Sequence, residues 1–590
     1  MKRFFITAFL FTSLLSCGKT LQEEADAFLK SYNQEYQAVY YEASKAQWKA
    51  LTDINALNDS LSVLANKKYA AFAGSKDIIQ KVRFFREHRS ELNDITIRQL
   101  DKIWLDASHQ PGTMPDVVDQ LIKANTEATS ALYSYQFTVN GKPYSANDID
   151  RALRNSSDLK EREAVWTASK EVGKIERDHL ARLQELRNKV AREMKYSSFF
   201  DLEAHDYGMS SDEVIQLMDQ FSEDLKPLYR ELHTYIRYEL AKKYNQPVPE
   251  YLPAHWLPNR WAQNWPGLVP GLQGEGDIPG KSKEWVVEQA EKFYMSMGFE
   301  KLNDNFYKNS DLYPADAASG RKKNTHASAW HLNLDQDYRS LMSVEPNMEW
   351  FKTTHHELGH IYYYIAYTNP EVPLTLRAGA NRAYHEAMGD LMAVAASQEA
   401  YLASLGLFDK TKTPDAIKLL LNSALSNSSI VFLPFAAGTM THFEYELYEK
   451  NLPKEEFNKT WWVLAKKYQG IVPPKERGAE YCDAATKTHI IDDPAQYYDY
   501  AISCVLKFQM HDHIAKQILK QDPANCNYYG SKEAGEFIRS IMRPGASKDW
   551  RQVLKEKTGQ DLSAKAMLDY YGPLYDWLLQ QNKGRKKAEF

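Results

Sequence analysis

Residues 350–365 read WFKTTHHELGHIYYYI, and the apolar residues on both sides of the histidines predict a helix. His356 and His360 are four residues apart, so their imidazoles would lie one turn apart on one helix face and could bind a single metal ion. Glu357 follows the first histidine, where its carboxylate can act on an attacking water without being a ligand. This arrangement is the H-E-x-x-H motif, which is typical of zinc hydrolases.

A second helical stretch, residues 382–390, supports a metal centre. A catalytic zinc usually has three protein ligands and one open position, and Glu386 is the expected third ligand. Asp390 lies one turn further along the same face, where its carboxylate can hold the second nitrogen of a ligating histidine. His385 is the competing third ligand, but it does not share a face with Asp390. Together the two stretches argue against a chance motif on a surface helix.

The composition is that of an ordinary soluble globular protein, with 43% hydrophobic and 26% charged residues. The formal net charge is −5 over 590 residues, so neither a domain-sized basic surface nor a nucleic-acid partner is expected. Helical spacing of apolar residues with little strand-like alternation predicts an all-α fold, and a helical chain of this kind is expected to form two lobes around a cleft. The helices predicted in the first half cover residues 22–72, 78–106, 115–138, 147–190 and 211–245.

The first residues have the pattern of an export signal. A basic start and a mostly apolar stretch, residues 4–15, precede the small Ser16, so residues 1–16 are predicted to be a signal peptide. Cys17 directly follows Leu-Leu-Ser, which is similar to a bacterial lipobox. We therefore expect an exported protein that is held on the membrane only by lipid on Cys17, facing the periplasm or the cell surface. The alternative is an ordinary secretory signal.

The remainder is predicted to be one domain, because no repeat or flexible linker divides it. Residues 17–24 would form a short tether, and residues 25–580 a single helical zinc peptidase domain with two subdomains. Residues 581–590 are predicted to be a polar tail whose basic stretch, residues 583–587, is solvated.

The chain resembles the angiotensin-converting enzyme family of zinc dipeptidyl carboxypeptidases beyond the zinc motif. The similar segments, in family order, read PLY at 227–229, LPAH at 252–255, WAQNW at 261–265, HASAW at 326–330, YHEAMGD at 384–390, KKYQG at 466–470, SKEAG at 531–535 and LSAKAML at 562–568. The resemblance covers roughly residues 25–580. It implies an almost entirely helical fold with a deep cleft, a lid of N-terminal helices, a Zn²⁺ cofactor and oligopeptide substrates.

The zinc chemistry implies a role for Glu357, and the resemblance implies roles for two further residues. Glu357 would be a general base that then acts as a general acid, as the zinc chemistry requires. His489 and Tyr500 match the residues that stabilise the tetrahedral oxyanion.

Substrate contacts are implied in the same way. Gln263, Lys487 and Tyr497 match the family's anchor for the C-terminal carboxylate, and one cation with two neutral donors suits that group. His326, with the backbone of Ala327 and Ala329, would line the substrate in extended form. Such an anchor predicts release of C-terminal dipeptides.

Two positions depart from the animal members, which are activated by chloride held by arginines. The matching residues here are Asp499 and Ala465; an acidic side chain cannot hold an anion, and alanine has no charge. Asp499 could instead supply a permanent negative charge. Chloride-independent activity is therefore expected.

Two alternatives remain beside a dipeptidyl carboxypeptidase. One is a related helical zinc carboxypeptidase or oligopeptidase with a different cleavage register, although an anchor for a free carboxylate argues against internal cleavage. The other is a non-catalytic peptide-binding lipoprotein, which would have no physical reason to keep the ligands, the base and the oxyanion donors.

Overall fold

A computed structural model describes residues 19–265, 267–268, 276–407 and 415–590. The predicted signal peptide and Cys17 lie outside these ranges. Within them, no helix combines the length and apolar character that crossing a bilayer requires.

Helices contain 66% of the residues and strands 4%, which confirms the predicted all-α class; the division into two lobes stays a prediction. The helices are α1 (Leu21–Thr52), α2 (Ala56–Ala73), α3 (Lys76–Glu87), α4 (Asp94–Ser108), α5 (Pro115–Ser134), α6 (Ala146–Asn155), α7 (Leu159–Lys170), α8 (Gly173–Glu193), α9 (Phe199–Ala204), α10 (Ser211–Lys243), α11 (Lys283–Ser296), α12 (Asp304–Asn309), α13 (Met348–Tyr367), α14 (Arg382–Ala396), α15 (Glu399–Ser404), α16 (Ala416–Ala424), α17 (Thr441–Tyr448), α18 (Phe457–Leu464), α19 (Thr488–Asp492), α20 (Tyr498–His513), α21 (Lys532–Met542), α22 (Trp550–Thr558), α23 (Lys565–Tyr570) and α24 (Gly572–Gln581).

Short strands pair two by two in the described part of the chain. An antiparallel hairpin joins β1 (Phe137–Val139) to β2 (Lys142–Tyr144), and a parallel pair joins β3 (Leu252–Pro253) to β6 (Ile471–Val472). A second antiparallel pair joins β4 (Ser328–His331) to β5 (Tyr338–Leu341), with Ala329 opposite Ser340. This last pair lies beside α13 and brings β4 to the functional site.

The helices predicted in the first half are interrupted where capping residues and turns compete with helical periodicity. The stretch 22–72 divides because Asn55 caps α2 by accepting a hydrogen bond from the Asn58 backbone. The stretch 115–138 ends early because Asn140 and Gly141, both with positive φ, form the β1–β2 turn.

The packing of α13 on α14, and of α14 on α20, builds the centre of the molecule. Gly359 and Gly389 lie where the first two helices meet: a Cβ on Gly359 would stand 3.0 Å from the Gly389 Cα. The pair of glycines therefore lets the two helices that carry the zinc-motif residues approach closely.

Cys482, Cys504 and Cys526 are buried free thiols. Burial raises the pKa of these thiols to about 12, about 11 and about 12, respectively. Each of these cysteines is therefore packed in the interior and is not part of a disulfide.

The C-terminal segment is docked, which differs from the prediction of a solvated basic tail. Ala588 is 2% exposed, and its carbonyl accepts a hydrogen bond of 3.0 Å from Arg230 on α10. The Phe590 ring packs edge-on against His233, with ring centres 4.8 Å apart. Lys583 and Lys586 remain exposed, so their side chains meet water while the backbone lies on the helix.

Candidate active site

The zinc-motif residues converge on one point. His356 and His360 lie on α13, which begins at the Asn347 cap, and Glu386 lies on α14. Their potential ligand atoms are all within 4.8 Å of one another. The Nε2 atoms of the two histidines are 3.0 Å apart, and Glu386 Oε2 is 3.7 Å from His356 Nε2.

Asp390 supports the first histidine from behind. Its Oδ1 lies 3.2 Å from His356 Nδ1, and Lys507 Nζ donates to its Oδ2 at 3.0 Å. Burial alone would lower the pKa of His356, but the Asp390 carboxylate outweighs burial and raises that pKa to about 9. Lys507 was not predicted, since it lies on α20 and no local motif marks it.

His385, the competing third ligand, lies behind His360. The two Nδ1 atoms are 2.7 Å apart, so one ring donates a hydrogen bond to the other. Burial, reinforced by nearby histidines, lowers the pKa of His385 to about 3, which keeps that ring neutral. The geometry thus groups Glu386, and not His385, with the two motif histidines.

The donor set fits a catalytic zinc ion. Two imidazoles and one carboxylate surround the point, and all three side chains also face a cavity of about 1700 Å³ that leaves a fourth side open. Glu357 is 5% exposed, and its Oε2 has no hydrogen-bond partner among the described residues. Burial raises the pKa of Glu357 to about 7, which suits a general base near neutral pH.

The cavity is larger than the 300–1000 Å³ of most small-molecule sites. Arg98 and Lys102 on α4 contribute to its wall, which places an N-terminal helix over the site. The cavity is also lined by His326 and Ala327, which precede β4, and by Ala329 on that strand.

Tyr500 lines the cavity, and His489 lies next to it. The Tyr500 hydroxyl is 3.4 Å from His489 Nε2 and accepts a hydrogen bond of 2.9 Å from Arg382. Burial raises the pKa of Tyr500 to about 12 and lowers that of His489 to about 4. The phenol is therefore protonated and the imidazole neutral at pH 7. Arg382, four residues before Glu386, was not predicted, although helical spacing places it near that ligand.

The residues predicted to anchor the substrate carboxylate form a buried group next to Tyr500. Gln263 Oε1 accepts hydrogen bonds from Lys487 Nζ at 2.9 Å and from the Tyr497 hydroxyl at 3.3 Å. The Tyr497 and Tyr500 rings have centres 5.0 Å apart, which links the group to the cavity wall. Burial, with a smaller effect of Arg260, lowers the pKa of Lys487 to about 7.

Asp499 is fully buried, with Oδ2 3.7 Å from Arg382 Nε. Burial raises the pKa of Asp499 well above its ordinary value, while Arg382 acts in the opposite direction. Burial and Arg382 thus act in opposite directions on a negative charge at Asp499, which stays a prediction. Ala465 is buried and uncharged.

The comparisons with known proteins agree with this geometry. A family model described as angiotensin-converting enzyme matches residues 19–588. The angiotensin-converting enzyme of Theromyzon tessulatum is 30% identical over 98% of this chain and 95% of its own length. That of Mesocricetus auratus is 29% identical over 96% of this chain, and that of Oryctolagus cuniculus is 30% identical over 95%; the match covers 43% of each of these longer relatives. The chain thus belongs to the angiotensin-converting enzyme family and is a metallopeptidase of the peptidyl-dipeptidase type.

Proposed function

We propose that this protein is a zinc-dependent dipeptidyl carboxypeptidase that releases C-terminal dipeptides from oligopeptides. The observation that carries the proposal is the buried donor group of Gln263, Lys487 and Tyr497, which contacts the oxyanion residues of a His-His-Glu centre. A free carboxylate held there would fix the distance from the peptide's end to the reacting bond, and hence the length of the product.

In the proposed reaction His356, His360 and Glu386 hold the metal. Zinc, when bound, polarises the scissile carbonyl and lowers the pKa of water to about 7. Glu357 accepts a proton from the attacking water at its free Oε2 and then delivers it to the leaving amine nitrogen. Because Oε2 has no partner among the described residues, it is available for this transfer.

The oxyanion and the peptide backbone have separate contacts. The protonated Tyr500 hydroxyl and a ring N–H of the neutral His489 donate to the developing oxyanion, which they stabilise more than the substrate carbonyl. The peptide lies in extended form along β4 and the residues just before it, where His326 and the backbone of Ala327 and Ala329 contact it.

The proposal is tested with a defined decapeptide, its C-terminally amidated form and a chelator-treated sample, with products followed by mass spectrometry. Stepwise loss of dipeptides from the free acid, abolished by chelation and strongly slowed by amidation, is the expected result. Loss of single residues or internal cleavage would support the alternative cleavage register. Absence of any cleavage by the zinc-loaded protein would favour the peptide-binding alternative.

The KM for a free-acid peptide is expected to rise as the pH increases through about 7, where burial places the pKa of Lys487. Above that pH Lys487 is a neutral amine in the free protein. Binding of the substrate carboxylate then requires Nζ to take up a proton first. Below that pH the ammonium is already charged. Each further pH unit is expected to raise KM by up to about tenfold.

This pH dependence is measured as KM between about pH 6 and about pH 9, with Lys487→Arg as control, since a guanidinium stays charged over this range. The control should show a flat profile across the same interval. A constant KM in the unmodified protein would contradict the assignment of Lys487.

We also propose that activity is independent of chloride. Ala465 offers no cation, and the Asp499 carboxyl occupies the space beside Arg382. Replacing acetate with chloride at constant ionic strength is expected to change kcat/KM by less than about twofold. Strong activation from a chloride-free start would contradict this expectation.

We further propose that lipid on Cys17 anchors an exported protein to a bacterial membrane, since the preceding residues resemble a lipobox. The full chain expressed in a bacterium is expected in the membrane fraction, and Cys17→Ser in the soluble one. Equal distribution of the two would contradict the anchor.

A further inference from the structure

A second buried lysine lies close to the proposed carboxylate anchor. Lys170, the last residue of α7, is 2% exposed. Its Nζ lies 5.0 Å from the centre of the Trp261 ring, and its hydrogen-bond partner among the described residues is the Thr486 hydroxyl, at 3.2 Å. The Lys170 amino group is therefore buried, and it contacts an indole face and one hydroxyl.

The Thr486 hydroxyl uses its full hydrogen-bonding capacity. It accepts from Lys170 Nζ at 3.2 Å and from Trp261 Nε1 at 3.2 Å, and it donates to the Asp483 carbonyl at 2.7 Å. A hydroxyl has one donor and two acceptor sites, so no other arrangement satisfies all three neighbours. Thr486 is 4% exposed, which leaves little access for water to replace it.

These contacts join the two chain segments that supply the anchor. Thr486 directly precedes Lys487, and Trp261 lies two residues before Gln263. The Lys487 Nζ also lies 4.6 Å from the centre of the Trp261 ring. Removal of the hydroxyl would leave the buried Lys170 amino group and the buried Trp261 indole N–H without their acceptor. Relief of that cost requires Trp261, or the backbone before Lys487, to move.

We propose that Thr486 is a positioning residue for the substrate-carboxylate anchor, with Lys170 as its buried partner. The hydroxyl holds the Trp261 ring under Lys487 and fixes the distance between Lys487 and Gln263. The inference rests on the proposed function, because it assigns a role within the anchor. Thr486 contacts neither the peptide nor the proposed metal site in this scheme.

The test compares Thr486→Val, which keeps the branched shape without the hydroxyl, with Thr486→Ser, which keeps the hydroxyl. Steady-state kinetics are measured with a free-acid peptide and its amide, and melting temperature is followed by circular dichroism. Thr486→Val is expected to raise KM for the free acid by about tenfold with kcat nearly unchanged. Hydrolysis of the amide should not change, and Thr486→Ser should match the unmodified protein.

Lys170→Met provides a second measurement. If Lys170 acts through the hydroxyl, the double variant with Thr486→Val should show no larger KM than Thr486→Val alone. The effects of substituting two residues in contact do not add when one acts through the other. Independent, multiplying effects would overturn the partnership between the two residues.

The amide arm separates the inference from the proposed function. Equal hydrolysis of acid and amide by the unmodified protein would overturn the carboxylate anchor, and the role of Thr486 with it. A clear preference for the acid that Thr486→Val fully retains would overturn the positioning role alone. An equal loss on both substrates with a lower melting temperature would likewise overturn it, because that pattern reports general structural damage.

Discussion

Replacement of Glu357 with glutamine is expected to lower kcat by about 100- to 10,000-fold while zinc and peptide still bind. The amide has nearly the same shape as the carboxylate but cannot accept the proton of the attacking water. Because Glu357 Oε2 has no partner among the described residues, the substitution breaks no hydrogen bond at that atom. Burial that raises the pKa of Glu357 to about 7 is what makes the native carboxylate an efficient base.

The measurement combines kcat for the free-acid decapeptide with zinc content after dialysis. Glu371→Gln is the matched control, since Glu371 is an exposed carboxylate just beyond the end of the same helix and does not line the cavity. The control should keep kcat within about twofold, as surface substitutions usually do. Retention of more than about a tenth of the activity in Glu357→Gln would contradict a role in proton transfer.

Replacement of Gly389 with alanine is expected to weaken zinc binding by about 10- to 100-fold, as loss of support behind a ligand usually does. A Cβ at this position would stand 2.8 Å from ring atoms of His356, which is closer than side chains pack. His356 is also held by Asp390 at 3.2 Å, so the ring cannot turn away and keep that contact. The expected result is a displaced ligand in a folded protein.

The zinc dissociation constant is measured by competition with a chelating dye, and melting temperature reports the cost of overpacking, about 1–3 kcal/mol. Gly572→Ala is the control, because a Cβ there meets no atom within 4 Å. Unchanged zinc affinity in Gly389→Ala would show that the two helices can separate without moving His356.

The predictable part of the molecule is the part encoded locally. Residues four apart on one helix give the His356/His360 pair and the Glu386/Asp390 pair without knowledge of the fold. Helical periodicity likewise predicts the all-α class. It does not reveal where a helix ends at a cap such as Asn55, because a cap changes few apolar positions.

Contacts between distant segments were not predictable in the same way. Lys507 reaches Asp390 from another helix, and Arg382 contacts Tyr500 across 118 positions. Neither residue has a motif of its own. The close approach of Gly359 and Gly389 depends on how two helices cross, which hydrophobic periodicity does not specify.

The docked C-terminal segment shows a different kind of failure. Its basic composition predicts solvation, and Lys583 and Lys586 are indeed exposed. The docking depends on Ala588 and Phe590, and two apolar positions are too few to form a periodic pattern. It also depends on backbone carbonyls, which every sequence has.

The three buried thiols offer a way to time the opening of separate regions. A buried thiol with a raised pKa reacts with an alkylating reagent only when its surroundings open. Cys482 lies four residues before Thr486, Cys504 on α20 donates to the Ser428 carbonyl at the cavity wall, and Cys526 lies just before α21. Alkylation rates at the three sites would therefore rank how often the anchor, the cavity wall and the C-terminal helices unfold locally in the native protein.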